Sequence, residues 1–137
     1  MARDKYHDLV KSALIAEGWR ITDDPLEVSS VIAELEVDLG AERIIAAERG
    51  VEKIAVEIKS FLSKSWLHEF YKAVGQFGFY NLAINGEELN RPLFLAMPDA
   101  AYEYLFRDPV ANQLAKMNQM KFILFNIETA SIVAWKR

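Results

Sequence analysis

Apolar positions recur at helical spacing in Arg3–Glu17, where Tyr6, Leu9, Val10, Ala13 and Leu14 share a face and Gly18 stops the run. Trp19–Thr22 reads as a short strand, and Thr22-Asp23-Asp24-Pro25-Leu26 as a loop with strong turn chemistry. Glu27–Leu39 fits helix or strand. Ala41–Ala47 is apolar after two charges. With Arg49-Gly50 as a two-residue turn, where glycine accepts positive φ, it predicts a hairpin into a strand Glu52–Phe61. The competing reading makes Ala41–Arg49 a helix capped by Gly50.

Trp66–Asn85 is predicted as a long helix, N-capped by Ser63 or Ser65 and closed by Gly86, with Leu67, Phe70, Tyr71, Val74, Phe77 and Leu82 as a broad apolar face. Arg91–Met97 and Lys121–Ile127 are near-continuous apolar runs suited to buried strands. Between them Pro98-Asp99 opens a short helix carrying Tyr102, Leu105 and Phe106. Glu128-Thr129 turns, and Ser131–Trp135 pairs back. The order predicts a single α/β domain over residues 1–137, a mixed β-sheet flanked by α-helices. The hairpin gives an antiparallel step, and the crossover helix gives a parallel one.

Composition narrows the chemistry. Hydrophobic residues make up 52% and charged residues 26% of 137 residues, a globular balance with enough chain for a core. The absence of cysteine excludes disulfides and thiolate metal sites, and two histidines, His7 and His68, argue against a multi-histidine zinc site. No apolar run approaches a membrane span, and the charged start MARDKYHDLV is unlike a signal, so the expectation is a soluble cytoplasmic protein with no membrane partner. The net charge is −4. That is a poor profile for holding duplex DNA unaided, because phosphate binding rests on Lys and Arg.

The densest chemical signal is Ile54–Phe61, IAVEIKSF. Alternate strand side chains share a face, so Glu57 and Lys59 project together while Val56 and Ile58 point the other way. A carboxylate that holds a divalent cation, beside a lysine that orients water or neutralises phosphate oxygens, suits metal-dependent phosphodiester chemistry. The bland alternative is an exposed cross-strand ion pair. With Arg49-Gly50 as the turn, Glu42 falls opposite Glu57, at roughly 4.5–5.5 Å between Cβ atoms. Two like charges there call for a cation such as Mg²⁺ or Mn²⁺. Asp38 has the same parity but lies about 13 Å further along an ideal strand, so it joins only through a bend or bulge at Gly40. The alternative is that Asp38 caps a helix starting at Gly40. Gln76 and Tyr80, four apart, share a helix face, where the glutamine could order a water, touch a phosphate or simply face solvent. His7 and Asp8 are weaker candidates.

The combination of D, then E-x-K, then a helix with Q-x-x-x-Y resembles the PD-(D/E)xK nuclease superfamily, the restriction-endonuclease-like fold. Within it, VDLGAERIIAAERGVEKIAVEIKSF is similar to the XisH family, named for fdxN element excision controlling factors of cyanobacteria. The likeness runs on through GWRITDDPL, AVGQFGFY, PLFLAMP and the terminal IVAWK, covering essentially the whole chain. It implies a role in programmed DNA rearrangement in heterocyst development and a small partner protein, XisI. It also implies Asp38, Glu57 and Lys59 as the D…E-x-K set, with Gln76 as the helix glutamine. Two departures stand out: a 19-residue step from Asp38 to Glu57, and Arg43 where a hairpin acid is expected. They leave Glu42 as the alternative second carboxylate.

Three readings follow. The first is a Mg²⁺- or Mn²⁺-dependent DNA endonuclease or a subunit of one, with Asp38, Glu57, Lys59 and Gln76 catalytic and Asp38, Glu42 and Glu57 as candidate ligands. The second is a non-catalytic regulator that keeps the fold and binds DNA or protein. The third is a plain interaction module. Acidic charge against a polyanionic substrate favours assembly with an XisI-like protein and a homodimer. Tyr102-Glu103-Tyr104-Leu105-Phe106 is a candidate interface segment, unless Tyr102, Leu105 and Phe106 face the core.

Overall fold

The computed structural model describes residues 5–26, 44–87 and 91–137. Its elements are α1 (His7–Ala16), β1 (Arg20–Asp23), β2 (Ile44–Arg49), β3 (Glu52–Ile58), α2 (Trp66–Glu87), β4 (Leu93–Pro98), α3 (Asp99–Leu105), α4 (Pro109–Met117), β5 (Phe122–Asn126) and β6 (Ser131–Lys136). The six strands lie side by side in sequence order. β1, β2 and β3 are antiparallel neighbours, β3, β4 and β5 are parallel, and β6 returns antiparallel to β5. This is the mixed α/β architecture expected, consistent with a restriction-endonuclease-like fold.

The layering follows from the parallel steps. The crossovers β3–α2–β4 and β4–α3–α4–β5 advance in one direction, so their helices cover the same side of the sheet. One core joins Phe70, Ala73, Phe77 and Ile84 of α2, Ala101 and Leu105 of α3, and Ala111 and Ala115 of α4 to Ile44, Ala55, Leu93 and Leu95 of the sheet. On the other side Val10 and Leu14 of α1 and Trp19 pack on Ile45, Ile54, Val56, Ile58, Phe94 and Phe125. Burial on both faces explains why β4 and β5 read as continuous apolar runs. Among the described residues no helix is long and apolar enough to cross a membrane.

Several local expectations need correction. The hairpin turn is Gly50-Val51, because Arg49 pairs with Glu52. Gly50 carries the positive φ of 62° at the first turn position, as a type II′ turn requires. The partner of Glu57 is therefore Ile44, two residues on from the Glu42 expected there. Helix α2 runs through Gly86 to Glu87. Its core face is Phe70, Ala73, Phe77, Tyr80 and Ile84, whereas Leu67, Tyr71 and Leu82 are exposed. Ser65 is the cap, its Oγ accepting from the His68 N–H at 3.1 Å, while Glu69 reaches back to the Ser63 N–H at 2.9 Å. Helix α4 was not expected, although Asp108-Pro109 announces it. The Asp108 side chain accepts from Val110 N–H at 2.9 Å, and proline fits the first turn. Tyr102 and Phe106 stack with centroids 4.2 Å apart and both pack on Phe122, with Leu105 buried. That segment serves the core, with Tyr104 left outside. The stretch 27–43, read as helix or strand, lies outside the described residues.

Candidate functional site

β3 is a central strand, and its regular parallel pairing carries past its last residue. The Ala55 N–H donates to Pro92 O and the Lys59 N–H to Ala96 O, each at 2.9 Å and at the same sequence offset. Lys59 is thus held in register with Glu57, and the alternation of the strand puts both on the side of Ala55, the side covered by α2. Val56 and Ile58 point into the opposite core, as expected.

Glu57 is 0% exposed and Lys59 7%. The in-sheet neighbours of Glu57 are Ile44 and Leu95, both apolar and buried in the α2-side core. A carboxylate in such a cradle is costly unless a cation, a proton or hydrogen bonds compensate it. The bland reading of the sequence, an exposed ion pair, is excluded by burial. Next in the chain, Ser60 is also buried, and Phe61 adopts φ 54° while only 3% exposed. A buried phenylalanine in the left-handed region stores strain of about 1–3 kcal/mol, the kind of outlier that accumulates where a chain is re-aimed at a site. Periodicity gave no sign of it, and the expected strand end at Phe61 falls back to Ile58.

Gln76 lies on α2 between Ala73 and Tyr80, both buried residues of its core face. Its Oε1 is buried and has no hydrogen-bond partner among the described residues. An amide in that state is aimed at something a solvent-facing glutamine would not need. Tyr80 itself belongs to the core. Asp38 and Glu42 lie outside the described residues, so Glu57, Lys59 and Gln76 are the site candidates the structure places, all on one side of the sheet. Among the described residues no three His, Asp or Glu side chains gather as a metal cluster. A carboxylate and an amide oxygen are hard oxygen donors of the kind that Mg²⁺ or Mn²⁺ accepts.

His7 has a different task. It is 2% exposed, with Nε2 2.9 Å from Asp24 Oδ1, and Lys11 Nζ lies 2.9 Å from Asp24 Oδ2. Burial pushes the Asp24 carboxyl up, but hydrogen bonds and charge from Lys11 and His7 outweigh it and hold the group down at about 2. The trio pins α1 to the loop after β1.

The model of the XisH protein family matches residues 1–133. The chain belongs to the XisH family. A crystallographically solved XisH family protein from Nostoc punctiforme PCC 73102 is 38% identical, with a TM-score of 0.86 over 98% of this chain and 100% of that one. An fdxN element excision controlling factor protein from Anabaena variabilis is 39% identical, with a TM-score of 0.85 over 96% of this chain and 98% of that one. A search of curated proteins returns no match. The XisH likeness therefore spans the sheet, the Glu57–Lys59 strand end and α2 together.

Proposed function

We propose that this XisH family member is a Mg²⁺- or Mn²⁺-dependent DNA endonuclease, or the nuclease subunit of one, acting in programmed excision of a DNA element together with a small XisI-like protein. The observation that carries the reading is the fully buried Glu57 beside the nearly buried Lys59 at the end of a central strand, both on the side of the sheet covered by α2. Glu57, with Asp38 or Glu42, would hold the ion. Bound there, a divalent cation supplies Lewis-acid polarisation of a phosphodiester and an acidified water. The Lys59 ammonium, nearly shut off from solvent, hydrogen-bonds the attacking water and offsets charge growing on the phosphate oxygens, where low dielectric strengthens it. The Gln76 amide, whose Oε1 is buried, orients that water. A PD-(D/E)xK ancestry accounts for this set of residues.

The net charge of −4 favours a second reading, a non-catalytic regulator that keeps the fold and binds protein or DNA. Plasmid cleavage with Mn²⁺, with and without the XisI-like partner, separates the two. Nicking or linearisation that disappears in Lys59→Ala supports the nuclease. Tight calorimetric Mn²⁺ binding that is unchanged in Glu57→Ala, with no cleavage under any condition, rejects it.

A further inference from the structure

The end of the sheet that holds Glu57 and Lys59 also carries aromatic rings left partly open to solvent. Helix α2 follows β3 and helix α3 follows β4, so both start at the carboxyl ends of parallel strands, where Glu57 and Lys59 lie. Trp66 opens α2 and is half-buried, and Tyr104, near the end of α3, is 58% exposed. Their ring centroids are 5.4 Å apart and the planes stand at 86°. In such an edge-to-face pair one ring meets the other only by its edge, so that contact leaves its own faces uncovered. The pair Tyr102–Phe106 is the opposite case, with planes 15° apart and both rings packed on Phe122.

The charge beside these rings is mostly of one sign. From Lys59 to Lys72 the chain has three lysines, at 59, 64 and 72, and one acid, Glu69. The Glu69 carboxylate accepts from the Ser63 N–H at 2.9 Å. Glu103, next to Tyr104, is matched by Arg107 one helical turn on. The chain as a whole stands at −4.

Open rings flanked by lysines fit one ligand chemistry. Unpaired nucleobases stack on tryptophan and tyrosine faces while lysines meet the phosphates between them. Duplex DNA offers no such faces, because its bases stack on one another, and an acidic chain holds its phosphates poorly. Stacking does not depend on net charge, so it supplies affinity that phosphate contacts alone do not give this chain.

We infer that Trp66 and Tyr104 form a stacking platform for the unpaired bases of single-stranded DNA, at the same end of the sheet as Glu57 and Lys59. The inference rests on the nuclease reading and deepens it: the substrate of that site is DNA with an unpaired segment, not uninterrupted duplex.

Metal-free binding of a dye-labelled thymidine oligonucleotide of about 12 nucleotides to the full chain, followed by anisotropy, tests it apart from cleavage. The single strand binds roughly tenfold or more tighter than its duplex with the complementary strand, and tighter than the uridine counterpart. Tyr104→Leu and Trp66→Leu keep apolar surface and lose a π face, and each weakens binding about 5- to 150-fold, the worth of one base stack. Trp66→Phe keeps most of the affinity but loses the quenching of tryptophan emission that accompanies binding, since Trp19 and Trp135 pack on the opposite side of the sheet. A duplex or a uridine strand bound as tightly overturns the inference, as does single-strand binding unchanged in a folded Tyr104→Leu protein. So does a chain that binds no single strand and uses these rings to hold an XisI-like protein. Absence of single-strand binding beside intact plasmid cleavage overturns the platform and leaves the nuclease reading standing; binding without cleavage does the reverse.

Discussion

At the start of β3, Glu52 and Lys53 sit in a mesh of ion pairs open to water, whereas at its far end Glu57 and Lys59 are shut away from it. In the first region Glu48 faces Arg20 at 2.8 Å and Lys53 and Arg91 at 3.9 Å, and Glu52 faces Arg137 at 2.9 Å and Arg49 at 3.7 Å. Arg49 lies 4.6 Å over the Trp19 ring, Trp19 stacks on Trp135 at 5.6 Å, and Arg137 lies 5.2 Å from the Trp135 centroid. With Trp135 Nε1 donating to Glu17 Oε1 at 3.1 Å, the cluster fastens the α1–β1 junction to the last strand. Its charges are partnered and mostly half-exposed, and its stability comes from rings. In the second region Glu57 is fully buried between Ile44 and Leu95, and Lys59 nearly so. Fold maintenance accounts for the first arrangement. The second is the arrangement on which the nuclease proposal rests.

The largest expected effect tests that division directly. Lys59→Ala lowers Mn²⁺-dependent cleavage by about 10²–10⁴-fold, the usual contribution of a positioned proton-transfer or charge-stabilising group. Glu57→Gln does the same, because the amide keeps the shape but not the negative charge that would hold the ion. Cleavage rates and thermal melts on the same preparations check both. A Glu57→Gln protein that unfolds well below wild type would make Glu57 a structural residue and erase the contrast between the regions.

Trp135→Ala attacks the other region. It removes a stack on Trp19, an edge contact with Phe94 at 5.3 Å and the bond to Glu17. The expected loss is about 3 kcal/mol by urea unfolding, with cleavage per folded molecule retained. Loss of cleavage in a fully folded Trp135→Ala protein would show that the two ends are coupled.

How far these regions were legible in the sequence differs for a physical reason. The Glu57–Lys59 pair announces itself through period-two alternation within one strand, the buried strands through near-continuous apolar runs, and the hairpin through its glycine turn. The Arg49–Trp19–Trp135–Arg137 cluster joins residues more than a hundred positions apart, and no local periodicity carries such a contact. The hairpin register failed at one residue. Placing glycine second in the turn, as type I′ logic suggests, chose Arg49-Gly50, whereas the chain puts Gly50 first and Val51 second. A shift of two keeps every side chain on its face, so the side of Glu57 was readable while its neighbour Ile44 was not. Asp38 and Glu42 lie outside the described residues; the family likeness implies Asp38, whereas Glu42 came from a hairpin register that the structure shifts by two.

A smaller effect sharpens the comparison by adding a charged group that is partly buried and serves the fold. Asp24 is 10% exposed, and its carboxyl is held at about 2 against an ordinary 3.8. A depressed carboxyl pKa contributes stability that is fully present above 3.8 and lost as the pH falls through about 2, worth about 2 kcal/mol at neutral pH. Asp24→Asn should therefore be less stable than wild type by about that amount at pH 7, with the gap closing between pH 4 and pH 2. Urea titrations across that range measure it. A gap that persists undiminished at pH 2 would assign the loss to packing rather than charge.

The smallest effect lies in the ion pairs themselves. Arg137 and Glu52 are 49% and 36% exposed at 2.9 Å, and such pairs lose most of their attraction to solvent screening and side-chain entropy. A double-mutant cycle with Arg137→Ala and Glu52→Ala should give a coupling of about 0.2–1 kcal/mol at low salt, fading as salt is added. Arg137 also covers Trp135 and Phe94, at 5.2 and 5.3 Å from their centroids. Arg137→Ala alone therefore costs more than the coupling, and Arg137→Met, which keeps apolar contact with the rings, recovers part of the difference. A coupling well above 1 kcal/mol that ignores salt would mean that Glu52 behaves as a buried charge, and that the open end of β3 is organised like the closed one.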